Sequence, residues 1–160
     1  MVLAPRQLLD YQRSFIWRKL ARFRLRVRAM VPESARLPKK RILIVDDDPS
    51  IRYMLSRVLL DEGYNVLSAA NGRQGLELAF TGQTDLVLLD WKMPGLNGEE
   101  TLKELAFARP ALPVIVITAY PRKQSEGALT GANAVLQKPL DFPMLLEAIK
   151  KLVSQGVACE

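Results

Sequence analysis

The chain has 160 residues, 49% of them hydrophobic, which suits one ordinary core, and no apolar run reaches the roughly 20 residues of a membrane-spanning helix. Histidine is absent and Cys159 is the lone cysteine, which excludes imidazole chemistry, a phosphohistidine intermediate and an internal disulfide. With no signal-peptide-like start, this composition fits a reducing, cytoplasmic setting. The net charge of +6 is divided unevenly: residues 1–40 hold 11 Lys/Arg against Asp10 and Glu33, whereas the remainder holds 12 Lys/Arg against 15 Asp/Glu. A basic arm precedes a mildly acidic body.

In the arm, Ile16, Leu20, Phe23, Val27 and Met30 repeat at the spacing of an amphipathic helix, although "RFRLRVRA" also alternates like a strand. We read a helix, followed by the linker "VPESARLPKK". Such a helix suits a partner helix or an anionic membrane surface better than specific DNA binding, since no base-reading motif is present. The structural alternative is a solvated tail, and Met30 offers an alternative translation start.

From Arg41 strands and helices alternate. "RILIV" reads as a buried strand, and Ile51, Met54, Leu55, Val58 and Leu59 mark one face of the helix that follows. Asp48 is its expected N-cap, Pro49 its first residue and Gly63 its stop. "YNVLSA" is a second strand and "GRQGLELAF" a helix that Gly75 should weaken. "DLVLLD" is a third strand; the loop "WKMPGLNG" leads to a helix bearing Leu102, Leu105 and Ala106. "LPVIVIT" is a fourth strand, "RKQSEGALTG" a short, poor helix, and "AVLQ" a fifth strand. The last helix starts at Asp141 and Pro143 and should bury Leu145, Leu146, Ile149, Leu152 and Val153. Five buried strands alternating with five helices imply an α/β, doubly wound parallel sheet.

Ligands of such sheets bind at the carboxyl ends of the strands. Those ends hold Asp46 and Asp47, Asp90, Thr118 and Lys138. Taken singly they read as turn, cap, strand end and loop residue; jointly placed, they make a site. Two like charges about 4 Å apart repel by about 4 kcal/mol at an effective dielectric near 20. Lys138 offsets one of three carboxylates, and a divalent cation would neutralise the rest. Oxygen-only ligation favours Mg2+ or a similar hard ion.

In this order, "ILIVDDDPSIR", "DLVLLDWKMPGLNG", "PVIVITAY" and "GANAVLQKPL" resemble the receiver domain of two-component response regulators, from about Arg41 to Gly156. The resemblance implies a flavodoxin-like fold with strand order 2-1-3-4-5. It divides the chain into an extension over 1–40, a receiver over 41–156 and a tail over 157–160. It also implies that Asp90 accepts a phosphoryl group from a histidine kinase or histidine phosphotransfer protein. Asp47 would ligate Mg2+ directly, Asp46 through a water, and the Lys92 carbonyl would complete the protein ligands. Thr118 would hydrogen-bond the phosphoryl oxygen, Lys138 would pair with its charge, and the Lys138–Pro139 bond would be cis. Such a protein is a signalling phosphoacceptor rather than an enzyme, with a downstream protein target. The body ends with its last helix, so a stand-alone module is expected.

Departures from the pattern exist. Val135 stands where the family has an aromatic that couples to the threonine. The stretch from Thr118 to Gly131 is short and contains Ser125 and Gly127, so the fourth helix should fray. Lys92 and Tyr120 would flank the water approach to the phosphoaspartate. A different class is a phosphohydrolase of the haloacid dehalogenase type, whose strand-end motif "IVDDDPS" approaches. The terminal acidic pair of that family is missing, and the body is small for its cap. A receiver-like scaffold that is never phosphorylated is the third reading.

Overall fold

The computed structural model describes residues 39–119 and 129–155. Strands β1 (Arg41–Val45), β2 (Asn65–Ala69), β3 (Leu86–Asp90), β4 (Val114–Thr118) and β5 (Ala134–Gln137) form one parallel sheet. The order is β2-β1-β3-β4-β5, so the flavodoxin-like expectation holds. Helices α1 (Pro49–Asp61), α2 (Gly72–Thr81) and α3 (Gly98–Ala108) supply crossovers, and α4 (Phe142–Gln155) follows the last strand.

Alternation along the central strands sorts the core into two layers. Leu43, Val45, Val87, Leu89, Val114 and Val116 face Ala79, Leu102 and Leu105 of α2 and α3. Ile42, Ile44, Leu86, Leu88, Ile115 and Ile117 face Leu55, Leu59, Leu145 and Ile149 of α1 and α4. Each fully buried aliphatic side chain is worth roughly 1.5–3 kcal/mol, so the three central strands anchor the fold.

Each helix start is chemically defined. Asp48 accepts the Ser50 N–H at 2.8 Å and Pro49 occupies the first turn of α1. Asn71 caps α2 by accepting the Gln74 N–H at 3.0 Å. Asn97 and Glu100 form a reciprocal capping box on α3. Asp141 accepts the Met144 N–H at 3.0 Å at the start of α4. The stop at Gly63 is also as expected: its φ of 93° sits in the left-handed region that glycine tolerates.

Several expectations need correction. Only β1, β3 and β4 are buried strands; β2 and β5 are the edges of the sheet and are half-covered. Met54 is 40% exposed, because α1 turns only Leu55 and Leu59 fully into the core. Leu146, Leu152 and Val153 are partly rather than fully buried. Gly75 is no mere weakness. A Cβ there would lie 2.9 Å from both methyl carbons of Val45, so glycine lets α2 lie close on β1. Four helices, not five, occur among the described residues. Most of the helix expected over 122–131, and the whole amphipathic pattern of the arm, lie outside them.

Candidate functional site

The sheet order reverses direction at β1, with β2 on one side and β3 on the other. Such a switch point opens a crevice at the carboxyl ends of the strands. Asp46 follows β1 directly and is 1% exposed; Asp47, next in the turn, is exposed. Asp90 ends β3 at 5% exposure and Thr118 ends β4 at 4%. Lys138, one residue past β5, is half-buried, and Lys92 lies in the exposed loop beyond Asp90.

The side chains converge. Oxygens of Asp46, Asp47 and Asp90 lie within 4.8 Å of one another, a group able to hold a metal ion. The Lys138 ammonium bridges two of them, 3.0 Å from Asp90 Oδ1 and 3.4 Å from Asp46 Oδ2. Strand ends are tied by backbone bonds: the Trp91 N–H donates to Ile117 O at 2.9 Å, and the Lys138 N–H donates to Thr118 O at 2.8 Å. The Lys138–Pro139 bond is cis, as the resemblance implies.

Burial pushes the Asp90 carboxyl above its ordinary range; the Lys138 hydrogen bond opposes this, while the Asp46 and Asp47 charges reinforce it. For Lys138, burial would lower the ammonium's pKa, but the hydrogen bond and charge of Asp90, aided by Asp46, hold it above the usual value. The lysine is therefore a fixed cation. Burial and the neighbouring carboxylates disfavour the ionised form of Asp90, so this carboxylate gains from an incoming cation. The donor set is oxygen only, matching a hard divalent ion.

Two features escaped the sequence. Arg52 Nη1 donates to Asp46 O at 2.7 Å and to Asp47 O at 3.0 Å, clasping the acidic turn from α1. Its position four residues after the cap Asp48 was the available signal. Gly98 and Gly72 let α3 and α2 abut the loop after β3; a Cβ at Gly98 would lie 2.5 Å from Asp90 O, and one at Gly72 would lie 2.6 Å from Leu96 O. A glycine at the first position of each of two helices was the clue. A separate cavity of about 300 Å³, bounded by Lys40, Asp85, Arg109 and Leu152, opens at the amino ends of the strands, away from these groups.

A family model described as the response regulator receiver domain matches residues 42–150. The sporulation initiation phosphotransferase F of Bacillus subtilis is 40% identical over 114 residues, covering 70% of this chain and 92% of that protein. The transcriptional regulatory protein ZraR of Escherichia coli is 43% identical over 115 residues, which are 71% of this chain but 26% of that longer protein. Among solved structures, the response regulator TrrA of Thermotoga maritima in complex with Mg2+ and BeF has a TM-score of 0.67. It is 40% identical, with 71% of this chain and 98% of that one covered. TrrA has also been solved in complex with the histidine kinase ThkA, matching here with a TM-score of 0.66, 40% identity and coverage of 71% of this chain and 97% of that one.

Proposed function

Because the chain belongs to the response regulator receiver domain family, we propose that it relays a signal by accepting a phosphoryl group on Asp90. The observation that carries this reading is the Lys138 ammonium bridging Asp90 at 3.0 Å and Asp46 at 3.4 Å within a cluster of three carboxylates. An Asp90 carboxylate oxygen attacks phosphorus, and the bond from phosphorus to the donor's histidine nitrogen breaks. The electron pair leaves with the imidazole, which takes up a proton, and an aspartyl phosphate remains. Lys138 is held beside Asp90, where it pairs with a phosphoryl oxygen, and Thr118 offers a hydroxyl from the neighbouring strand end.

Asp46, Asp47, Asp90 and the Lys92 carbonyl would hold Mg2+, with Asp46 acting through water. Bound there, the ion would offset the repulsion between the carboxylates and the incoming phosphoryl group. TrrA, crystallised with Mg2+ and BeF, supports this assignment, as does the oxygen-only donor set. Asp48 caps α1 and is not a ligand in this reading.

The donor is a histidine kinase or histidine phosphotransfer protein, which the TrrA complex with a histidine kinase supports. The change in Asp90 alters contacts with a downstream protein. We read 41–156 as the receiver and 1–40 as an appended basic arm for a partner helix or an anionic membrane surface. A stand-alone module is supported by the coverage of phosphotransferase F, although the same stretch is a quarter of ZraR. Among the described residues no helix is long and apolar enough to cross a membrane.

Acetyl phosphate with Mg2+, followed by intact mass, tests the reading. One phosphoryl group per chain in the wild type and none in Asp90→Asn is expected. Multiple turnover of phosphate esters would instead favour the phosphohydrolase, and a wholly inert wild type the scaffold.

A further inference from the structure

We infer that Arg52 is a positioning residue that pins the acidic turn after β1 in the shape that binds the divalent ion, an inference that rests on the metal-site reading above. The turn is short of its own partners. Its two successive carbonyls, Asp46 O and Asp47 O, accept from the same nitrogen, Arg52 Nη1, at 2.7 and 3.0 Å. The two bonds hold the peptide units on either side of Asp47, the proposed direct ligand.

Several other polar groups of the turn are engaged elsewhere. The Asp46 N–H donates to Ala69 O at 3.2 Å. Asp46 Oδ1 accepts the Asp48 N–H at 2.8 Å, and Oδ2 faces Lys138 at 3.4 Å. Asp48 caps α1, and its carbonyl accepts the Arg52 N–H at 3.1 Å. None of the described hydrogen bonds uses the Asp47 carboxylate, which stays exposed within the cluster. Within the turn, the Asp47 carboxylate is thus left open to a ligand. Arg52 completes that arrangement from its own helix.

Electrostatics and positioning make opposite demands, which separates them. A guanidinium near three carboxylates repels an incoming cation, so loss of its charge alone tightens Mg2+ binding. Loss of a clamp on the ligand-bearing backbone weakens it, and outer partners of metal ligands typically matter by about 10–100-fold. Lysine keeps the charge and can donate to two acceptors, but its freely rotating ammonium lacks the rigid planar head that fixes the direction of both bonds.

Mg2+ calorimetry on the whole chain for wild type, Arg52→Gln, Arg52→Lys and Arg57→Gln, an exposed charge on the same helix, is the test. It is paired with amide exchange at Asp48 in metal-free protein. We expect about tenfold weaker Mg2+ binding in Arg52→Gln, a partial loss in Arg52→Lys, and equal or tighter binding in Arg57→Gln. The Asp48 amide should exchange faster in both Arg52 variants. Binding by Arg52→Gln as tight as wild type overturns the inference, as does weaker binding with unchanged Asp48 exchange. Should the wild type bind no Mg2+ at all, the metal-site reading fails, and the exchange comparison alone decides whether Arg52 pins the turn.

Discussion

Gly98→Ala is the substitution whose consequence the geometry sets most tightly. A Cβ at this position would lie 2.5 Å from Asp90 O, 2.6 Å from Trp91 Cα and 2.7 Å from Trp91 O. All three are backbone atoms, so no side chain can rotate away. Ordinary contacts begin near 3.5 Å, so helix and strand end must separate by about 1 Å. The Gly98 N–H donates to Trp91 O at 3.1 Å, and that bond stretches in the same movement. Overpacking of this kind costs about 1–3 kcal/mol. At roughly 4–8 °C per kcal/mol for a small domain, Tm should fall by on the order of 10 °C. One of the displaced atoms is the Asp90 carbonyl oxygen and the other two belong to the next residue, and a misplacement of about 1 Å can cost about 100-fold in rate. Phosphorylation by acetyl phosphate should therefore slow by about 10–100-fold, read as an intact-mass time course beside a circular dichroism melt. Gly95→Ala is the internal control. Its φ of 77° makes a side chain strained, by about 1–2 kcal/mol, yet no atom lies within 4 Å of the added carbon. It should lose a little stability and keep its phosphorylation rate. The reasoning is refuted if Gly98→Ala melts and reacts like wild type, or loses no more rate than Gly95→Ala.

Further outcomes follow from the same geometry. Lys138→Met leaves Asp46 and Asp90 facing each other without their shared cation, and acetyl phosphate labelling should slow by about 100-fold. Asp48→Ala removes a cap but no ligand; thermal melts should show a loss of about 1 kcal/mol, while calorimetry gives an unchanged Mg2+ affinity. Asp90→Asn should raise the Tm of metal-free protein. The folded pKa of Asp90 lies above its ordinary 3.8, so the stability linked to this group is full below that value and is lost as pH rises through the folded pKa. The advantage of Asn should thus vanish in acid, grow through the acidic range and level off above it, as melts across pH will show; saturating Mg2+ should reverse it.

Much of the fold was readable because the apolar pattern of residues 41–59 and 85–118 has one period per element and clear punctuation at Asp48 and Gly63. Convergence of Asp46, Asp90 and Lys138 followed from topology alone, since a parallel sheet sends every strand end to the same edge. What pattern could not reveal was depth and contact. Met54 shares the period of Leu55 and Leu59 yet points half into solvent, because helical spacing defines a face and not how far it sinks. β2 and β5 carry apolar runs that read as buried strands, but the sheet order makes them edges. Arg52 resembled any surface arginine until its reach to two carbonyls was seen. Gly75 read as a weak helix residue, whereas the close approach of its helix to Val45 explains it.

Borohydride reduction of the chain after reaction with acetyl phosphate and Mg2+, followed by peptide mapping, tests the central claim most directly, because hydride converts an acyl phosphate into an alcohol. Homoserine at position 90, formed only when Mg2+ is supplied and at no other aspartate, is the predicted result. Reduction at Asp46 or Asp47, or a phosphoryl group that withstands hydride, would contradict it.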